Sequence, residues 1–216
     1  MGLTRSVSKA RLKNVVDEPA RERILGAAFE AFTEHGFAQA STLEIASRAK
    51  VSKRELYALV GNKQEMLVAC IAERVKRMQT PPDLPALQDR QALGVALADF
   101  GSRLLHELTD PDVIATYRLA IAEAERSPEV AQALDTFGRR PVRAVLAGLL
   151  AQARSAGLLE DTDPGQMVGR FMALLWGDLT MALLLRVADR PGLTEIRRRA
   201  RDAADVFLRL HPSPST

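Results

Sequence analysis

Residues 42–67 read TLEIASRAKVSKRELYALVGNKQEML, a pattern of two short helices joined by a tight turn and followed at once by a third. Ser41 precedes the first helix with Glu44 three residues later, and Ser52 and Glu55 repeat this spacing before the second. Such pairs form a capping box, which marks a helix N-terminus. Two closely spaced starts of this kind predict a helix-turn-helix over about residues 42–60.

Apolar residues of this stretch recur at helical spacing, so the two helices can share one small core. The first helix supplies Leu43, Ile45, Ala46 and Ala49. The turn and the second helix supply Val51, Leu56 and Leu59. The opposite face carries Lys53, Arg54, Tyr57 and Ala58. A helix of this kind suits the major groove of DNA, where basic side chains meet base edges and hydroxyls meet phosphates. We predict Arg54 as the best base contact, followed by Lys53, with the Ser52 hydroxyl nearby.

The chain from about residue 19 to residue 75 resembles the DNA-binding domain of TetR-type transcriptional regulators. Matching residues of the opening helix and of the break after it are Ile24, Leu25, Ala28, Phe32, Gly36 and Phe37. Those of the helix-turn-helix and the next helix are Thr42, Ile45, Ala46, Val51, Ser52, Leu56, Tyr57, Lys63 and Leu67. The resemblance implies that Thr42, Tyr57 and Lys63 touch the sugar-phosphate backbone of a double-stranded DNA operator.

Two positions depart from the family pattern. Lys50 stands at a turn position where the family usually has Gly, and a residue with a side chain occupies it with strain on the order of 1 kcal/mol. Leu59 and Val60 replace a pair of His and an aromatic residue. The second change alters a packing or phosphate contact and leaves the motif in place.

Composition predicts an all-α protein of about nine helices. Of the 216 residues, 47% are apolar and only 5% aromatic, and runs of alternating Val, Ile, Thr and Tyr are missing. We expect a flexible basic arm over residues 1–18, a three-helix DNA-binding domain with the helix-turn-helix over 19–79, and a larger effector-binding and dimerisation domain over 80–211. Residues 212–216 are expected to form a disordered tail.

Helix boundaries follow from apolar spacing and from Pro and Gly. The first helix should run from about Ala20 to Glu34, and the fourth from Asn62 to the Pro81-Pro82 pair. Five more are expected at Pro85–Leu108, Pro111–Arg126, Pro128–Ala156 with a kink at Gly138–Pro141, Asp163–Val187 and Leu193–Leu210.

Charge is divided unevenly along the chain. Residues 1–80 carry 14 Lys and Arg against 9 Asp and Glu, whereas the remainder carries 16 against 18. A basic half joined to a nearly neutral half fits a phosphate-binding domain with a partner domain of another role. Within the predicted arm, Arg5, Lys9, Arg11 and Lys13 either reach DNA beside the site read by the helix or make no contact.

The second half resembles the effector and dimerisation domain of one subgroup of the TetR-type regulators, through Arg118, Glu123, Arg126, Pro128, Glu129 and Gly157-Leu158-Leu159. This implies an unknown small-molecule effector. Aromatic and Met side chains suit an apolar cavity, and charged or polar side chains within it would orient the ligand. Our ligand-binding candidates are His106, Tyr117, Arg118, Glu123, Met172, Trp176 and Asp178. Each of these residues has an alternative role in packing or capping.

Apolar stripes on the last two long helices predict a homodimer built on a four-helix interface. The interface candidates are Phe171, Leu175, Leu179, Ala203 and Phe207.

An enzyme is not expected, because the three His residues are scattered and the chain has no Gly-rich phosphate loop, nucleophile elbow or metal signature. No metal, cofactor or membrane span is predicted. Cys70 is the one cysteine, and no signal peptide is recognised, which fits a cytoplasmic protein. The alternative to a regulator is a helical ligand-binding or protein-interaction module with impaired DNA binding.

Overall fold

A computed structural model describes residues 4–77, 87–160 and 162–214, and within these ranges the chain is all-α, as predicted. The helices are α1 (Thr4–Gln39), α2 (Thr42–Ala49), α3 (Lys53–Val60), α4 (Lys63–Arg77), α5 (Arg90–Leu108), α6 (Pro111–Glu123), α7 (Pro128–Leu134), α8 (Arg140–Ser155), α9 (Pro164–Trp176), α10 (Leu179–Leu184) and α11 (Leu193–Leu210). None of those described is long and apolar enough to cross a membrane.

Two predicted helices are each divided in the structure. A π-helical segment, Asp135–Arg139, separates α7 from α8 at the kink that the sequence predicts before Pro141. A wider turn suits this place because Pro141 has no N–H to donate to the helix. The helix predicted over residues 163–187 breaks at Gly177, whose φ of 49° lies in the left-handed region that glycine adopts easily. This break was not predicted.

Two helix starts differ from the sequence prediction. Helix α1 begins at Thr4 rather than near Ala20, so the backbone of the predicted arm is helical from Thr4 onward. The side chains of residues 4–17 lie outside the described part of the structure, and so do residues 78–86, which hold Pro81, Pro82 and the predicted domain boundary. Helix α5 begins at Arg90 instead of Pro85, because the Asp89 side chain caps it by accepting from the Ala92 N–H at 2.7 Å.

The chain divides into two compact units by its internal contacts. The first comprises Met1–Lys76 and Leu119–Leu134, and the second comprises Arg77–Arg118 and Asp135–Thr216. The predicted domain boundary between residues 79 and 80 lies outside the described residues and stays a prediction; by sequence position it assigns Leu119–Leu134 to the second domain. In the first unit, α1 packs against α2 and α3, and Gln64 of α4 donates to the Glu129 carboxylate at 2.6 Å.

Helices α5 and α11 pack against each other in antiparallel directions at the centre of the second unit. At one end, Arg90 donates to the carbonyl oxygens of Leu208 and His211 at 2.6 and 3.0 Å. At the other, Arg190 donates to the carbonyl oxygen of His106 at 3.0 Å. Helix α9 packs against α5, α8 and α11, and its Phe171 ring meets Phe207 edge-on with centroids 5.6 Å apart. These contacts fix the frame of the second unit.

Candidate nucleic-acid interface

Helix α2 presents its inner face to the core and leaves its start exposed. The Ser41 side chain caps it by accepting from the Leu43 N–H at 3.3 Å, and Ile45, Ala46 and Ala49 are buried. Leu43, predicted to join this core, is instead 67% exposed. At about 100° per residue, Leu43 lies nearly opposite Ile45 on the helix surface.

The Glu44 carboxylate does not complete the predicted capping box with Ser41. It contacts the Arg48 guanidinium one turn along α2, and Arg48 also donates to Glu34 of α1 at 2.8 Å. These hydrogen bonds raise the pKa of Arg48, and the bond from Arg48 lowers the pKa of the Glu34 carboxyl below its ordinary 4.5. The result is an ionic connection between α1 and α2.

Three potential metal ligands belong to the same cluster. Glu34, His35 and Glu44 bring their ligand atoms within 4.8 Å of one another. The Arg48 guanidinium already binds both carboxylates, so we assign the cluster to bracing α2 against α1. In the sequence, this ionic cluster is indicated only by the spacing of four residues between Glu44 and Arg48.

Lys50 forms the turn between α2 and α3 in the conformation that the sequence predicts for this position. Its φ and ψ are 56° and 47°, in the left-handed region, and its N–H donates to the carbonyl oxygens of Ala46 and Ser47. The Arg23 guanidinium of α1 adds a bond to the carbonyl oxygen of Ala49 at 3.2 Å. The last carbonyl oxygens of α2 are thus hydrogen-bonded as is usual when the residue after a helix is left-handed, with lysine in place of the usual glycine.

Helix α3 is held by its C-terminal half and exposed at its N-terminal half. The Ser52 hydroxyl caps it by accepting from the Glu55 N–H at 3.1 Å, while Leu56 and Val60 are buried and Leu59 is half-buried. The side chains on the outer face are exposed: Lys53, Arg54, Tyr57 and Ala58. This is the arrangement that a groove-reading helix requires.

Tyr57 lies between a hydroxyl and a cation at the centre of this surface. Its hydroxyl is 3.3 Å from the Thr42 hydroxyl, and the Lys53 ammonium lies 5.9 Å from its ring centroid. Three of the predicted DNA contacts, on two helices, are therefore neighbours.

Lys63 is oriented by the end of α1. Its ammonium donates to the carbonyl oxygen of Ala38 at 3.1 Å and lies 4.8 Å from the centroid of the Phe37 ring. The α4 start beside it is capped reciprocally, because Asn62 accepts from the Glu65 N–H and the Glu65 carboxylate accepts from the Asn62 N–H. The sequence placed the start of this helix at Asn62, and the pairing with Glu65 was missed although the spacing is that of a capping box.

The seven ligand-binding candidates are divided between the two units. Glu123 is buried and belongs to the first unit, whereas the other six belong to the second. His106 and Asp178 are exposed, and Met172 and Trp176 are half-buried against the core of the second unit. Burial raises the pKa of the Tyr117 phenol above its ordinary 10.0.

Arg118 has a structural partner. Its guanidinium donates to the carbonyl oxygens of Leu183 and Leu184, at the C-terminus of α10, where a cation also complements the helix dipole. Burial lowers the pKa of Arg118. These two carbonyl oxygens are the hydrogen-bond partners that a charged group beside an apolar helix needs.

The five side chains predicted at the dimer interface all lie inside the subunit. Phe171, Leu175, Leu179, Ala203 and Phe207 belong to the core of the second unit and are at most 6% exposed. The apolar stripes of α9 and α11 are therefore used within one chain, because these helices pack on each other and on α5. They are not a free surface for a second subunit.

Family profiles match both the N-terminal and the C-terminal part of the chain. Residues 24–70 match the family profile described as bacterial regulatory proteins of the tetR family, and residues 95–211 match the profile of the C-terminal domain of AefR-like transcriptional repressors. The chain belongs to the TetR family. The second match covers more than half of the chain and includes the whole of α6 to α11.

Solved structures agree with this assignment. The flavonoid-responsive regulator FrrA is 28% identical, with a TM-score of 0.76 over 91% of this chain and 98% of its own. A TetR regulator from Agrobacterium tumefaciens is 26% identical, with a TM-score of 0.71 over 90% and 95% of the two chains. A TetR-family protein from Mesorhizobium loti, 20% identical, shares the fold with a TM-score of 0.76 over 91% and 98%. No match is found among curated proteins.

Membership in the TetR family makes this chain a transcriptional regulator rather than an enzyme. Regulators of the family bind DNA through the N-terminal helix-turn-helix and usually dimerise. In this chain that motif is the α2–α3 pair described above.

Proposed function

We propose that this protein is a homodimeric repressor that binds a palindromic DNA operator and releases it when a small molecule binds the second unit. The observation that carries the DNA-binding part is the exposed N-terminal half of α3, with Lys53, Arg54 and Tyr57 on one face. A single helix of this length reads few base pairs, so two copies related by a two-fold axis are needed for useful specificity.

Each DNA contact has a role that follows from its chemistry. The Arg54 guanidinium is suited to a bidentate bond with guanine, with Lys53 beside it as a second base contact. The hydroxyls of Thr42, Ser52 and Tyr57 are suited to phosphates, and so is the Lys63 ammonium at the start of α4. The well-bonded Lys50 turn argues against the alternative of a module with impaired DNA binding.

An exposed apolar surface, here called the α10 face, is proposed to bind a second copy of this chain. Met181 and Leu185 are 59% and 63% exposed and lie one helical turn apart, and Val187 and Leu193 follow them on exposed positions. On α9, Gly169 and Ala173 lie one helical turn apart at half-buried and exposed positions, and residues this small permit close approach of another helix. Exposed apolar groups of this extent favour burial in an interface.

Sedimentation of the Met181→Glu variant tests the dimer. We expect a monomer at micromolar concentration and loss of operator retardation on a gel, because a charge would be buried at the interface. Val95→Glu is the matched control, since Val95 is 57% exposed on α5, away from the α10 face. If wild type sediments as a monomer with and without DNA, the proposed homodimer is wrong.

The effector is proposed to be a small, largely apolar molecule. FrrA, the similar regulator, is named as flavonoid-responsive, and this chain offers half-buried Met172 and Trp176 beside the core of the second unit. Differential binding to two conformations would change operator affinity by about 5- to 150-fold, the usual range of such coupling.

A flavonoid is therefore the first probe. We expect it to quench the fluorescence of Trp176, the single tryptophan of the chain, and to reduce operator retardation over the same concentration range. A flavonoid that does neither, together with no response to a wider set of apolar compounds, would contradict the ligand-responsive part. The operator-binding part is tested separately, without any compound.

A further inference from the structure

Helices α5 and α11 come unusually close at one point of their antiparallel contact. A Cβ added to Gly101 would lie 3.2 Å from the Ala200 Cβ and 2.9 Å from Leu175 Cδ1, closer than ordinary van der Waals contact. Gly101 and Ala200 are both buried. The residues on either side of this crossing are consequently brought together at the surface.

An open groove lies beside the crossing. It has a volume of about 400 Å³ and is lined from α5 and α11 by Ala98, Asp99, Ser102, Arg103, Arg197 and Arg201. Three arginines, one serine and a single aspartate thus line the same groove. None of the seven ligand-binding candidates lines this groove.

The arginines of this groove differ from their neighbours on α11 in their partners. Arg198 and Arg199 both bind the Glu195 carboxylate, and Arg198 also reaches Asp202 at 3.1 Å. Among the described side chains of residues 18–73, 87–160 and 162–214, by contrast, Arg103, Arg197 and Arg201 have no ion pair or hydrogen bond. Arg103 has only a longer-range electrostatic interaction with Glu107, one turn along α5. Asp99 is likewise without an ion pair in those ranges.

We infer that this groove binds a small ligand carrying two negative charges on phosphate or carboxylate groups. The three guanidinium groups and Asp99 leave a net charge of +2, which such a ligand would neutralise. Guanidinium groups bind both kinds of oxyanion through paired N–H donors, and the Ser102 hydroxyl supplies one more. A groove also concentrates the field of like charges on its walls, which strengthens attraction of an anion over that of scattered surface arginines.

This site is separate from the apolar effector site proposed above and does not depend on operator binding. Close packing beside the groove favours binding of such a ligand. The Gly101–Ala200 contact fixes the spacing between Ser102 and Arg103 on α5 and Arg201 on α11. A ligand binding there joins α5 to α11 and so stabilises the folded second unit by mass action.

Titration calorimetry of the full chain without DNA tests the site, with inorganic phosphate and succinate as separate probes and sodium chloride at matched ionic strength as a reference. We expect saturable binding of at least one probe and a rise in melting temperature that chloride does not give. Arg201→Gln should weaken this binding about tenfold, as loss of one charge-assisted hydrogen bond does. Arg103→Gln, on the other helix, should do the same.

Arg198→Gln is the matched control, because Arg198 is an exposed arginine of the same helix with its own carboxylate partners. The affinity of the Arg198→Gln variant for the probe should stay within about twofold of that of the wild type. Binding of phosphate alone or of succinate alone would support the site and identify which oxyanion it prefers. Absence of saturable binding for both probes, or equal weakening by Arg198→Gln and Arg201→Gln, would overturn the proposal. Gel retardation with operator DNA reports independently on the proposed function.

Discussion

The hydroxyls of Thr42 and Tyr57 lie 3.3 Å apart and join the first turn of α2 to the exposed face of α3. This bond restricts the Tyr57 ring, against which the Lys53 ammonium lies at 5.9 Å. We propose above that both hydroxyls contact the DNA backbone; a bond that exists before binding then reduces the cost of ordering them.

Tyr57→Phe is predicted to weaken operator binding by about 1 kcal/mol, the usual contribution of one hydroxyl hydrogen bond. Because the lost contact is to the backbone, the preference among operator sequences should not change. Thr42→Val completes a double-mutant cycle, measured by fluorescence anisotropy with labelled DNA. We expect the combined loss to be smaller than the sum of the two, since the hydroxyls act as a pair. Strict additivity would show that the Thr42–Tyr57 bond has no role in binding.

Arg54→Ala and Lys63→Ala should affect DNA binding in different ways. Loss of Arg54 is expected to cost roughly 1–3 kcal/mol at the true operator and to relax the preference at one base pair in each half-site. Loss of Lys63 should lower affinity for all sequences and reduce the salt slope by about one per subunit. Anisotropy over a range of salt concentrations, with specific and random DNA, separates the two. A sequence-dependent loss from Lys63→Ala would contradict its assignment to phosphate.

Lys50→Gly is predicted to stabilise the protein by on the order of 1 kcal/mol, because glycine adopts the left-handed conformation at φ 56° without the strain of a side chain. Lys50→Ala is the matched control, since alanine removes the ammonium group and keeps the strain. Urea unfolding followed by circular dichroism gives both free energies of unfolding. A similar stabilisation from Lys50→Ala would mean that charge, rather than backbone conformation, is responsible.

The α2–α3 helix-turn-helix was predicted well because its sequence signals are local. The Ser41 and Ser52 caps, the Lys50 turn and the outward position of Lys53, Arg54 and Tyr57 depend on a few residues of backbone geometry and helical spacing. The kink at Gly138–Pro141 was also predicted from local sequence, and the structure has a π-helical segment at Asp135–Arg139.

The second unit was predicted less well because its contacts join distant parts of the chain. The apolar stripes of α9 and α11 were correctly located, yet periodicity cannot tell whether such a stripe faces its own core or another subunit. Phe171 and Phe207 proved to be core residues. The bond from Arg118 to Leu183 and Leu184 and the groove of Arg103, Arg197 and Arg201 likewise need tertiary structure to be seen.

Tyr117 is predicted to titrate above pH 10 in the folded protein, because burial disfavours its phenolate and raises its pKa above the ordinary 10.0. The folded state then holds this proton more tightly than the unfolded state. The contribution to stability is accordingly full below about pH 10 and is lost as the pH rises beyond it. The chain has two tyrosines, so the Tyr57→Phe variant isolates this one in a phenolate absorbance titration. An equal midpoint in native and urea-unfolded protein would contradict the prediction.

Gly101→Ala is predicted to destabilise the second unit by roughly 1–3 kcal/mol, the range for an added methyl group in a packed core. The new Cβ would press on Leu175 at 2.9 Å and on Ala200 at 3.2 Å, and the Ala200 contact involves a group with no rotamer to change. Gly26→Ala is the control, because Gly26 lies inside α1 with no atom within 4 Å of an added Cβ. That variant should gain up to about 1 kcal/mol from helix propensity alone. Thermal unfolding of both variants decides the matter, and a stable Gly101→Ala protein would mean that α5 and α11 are free to separate.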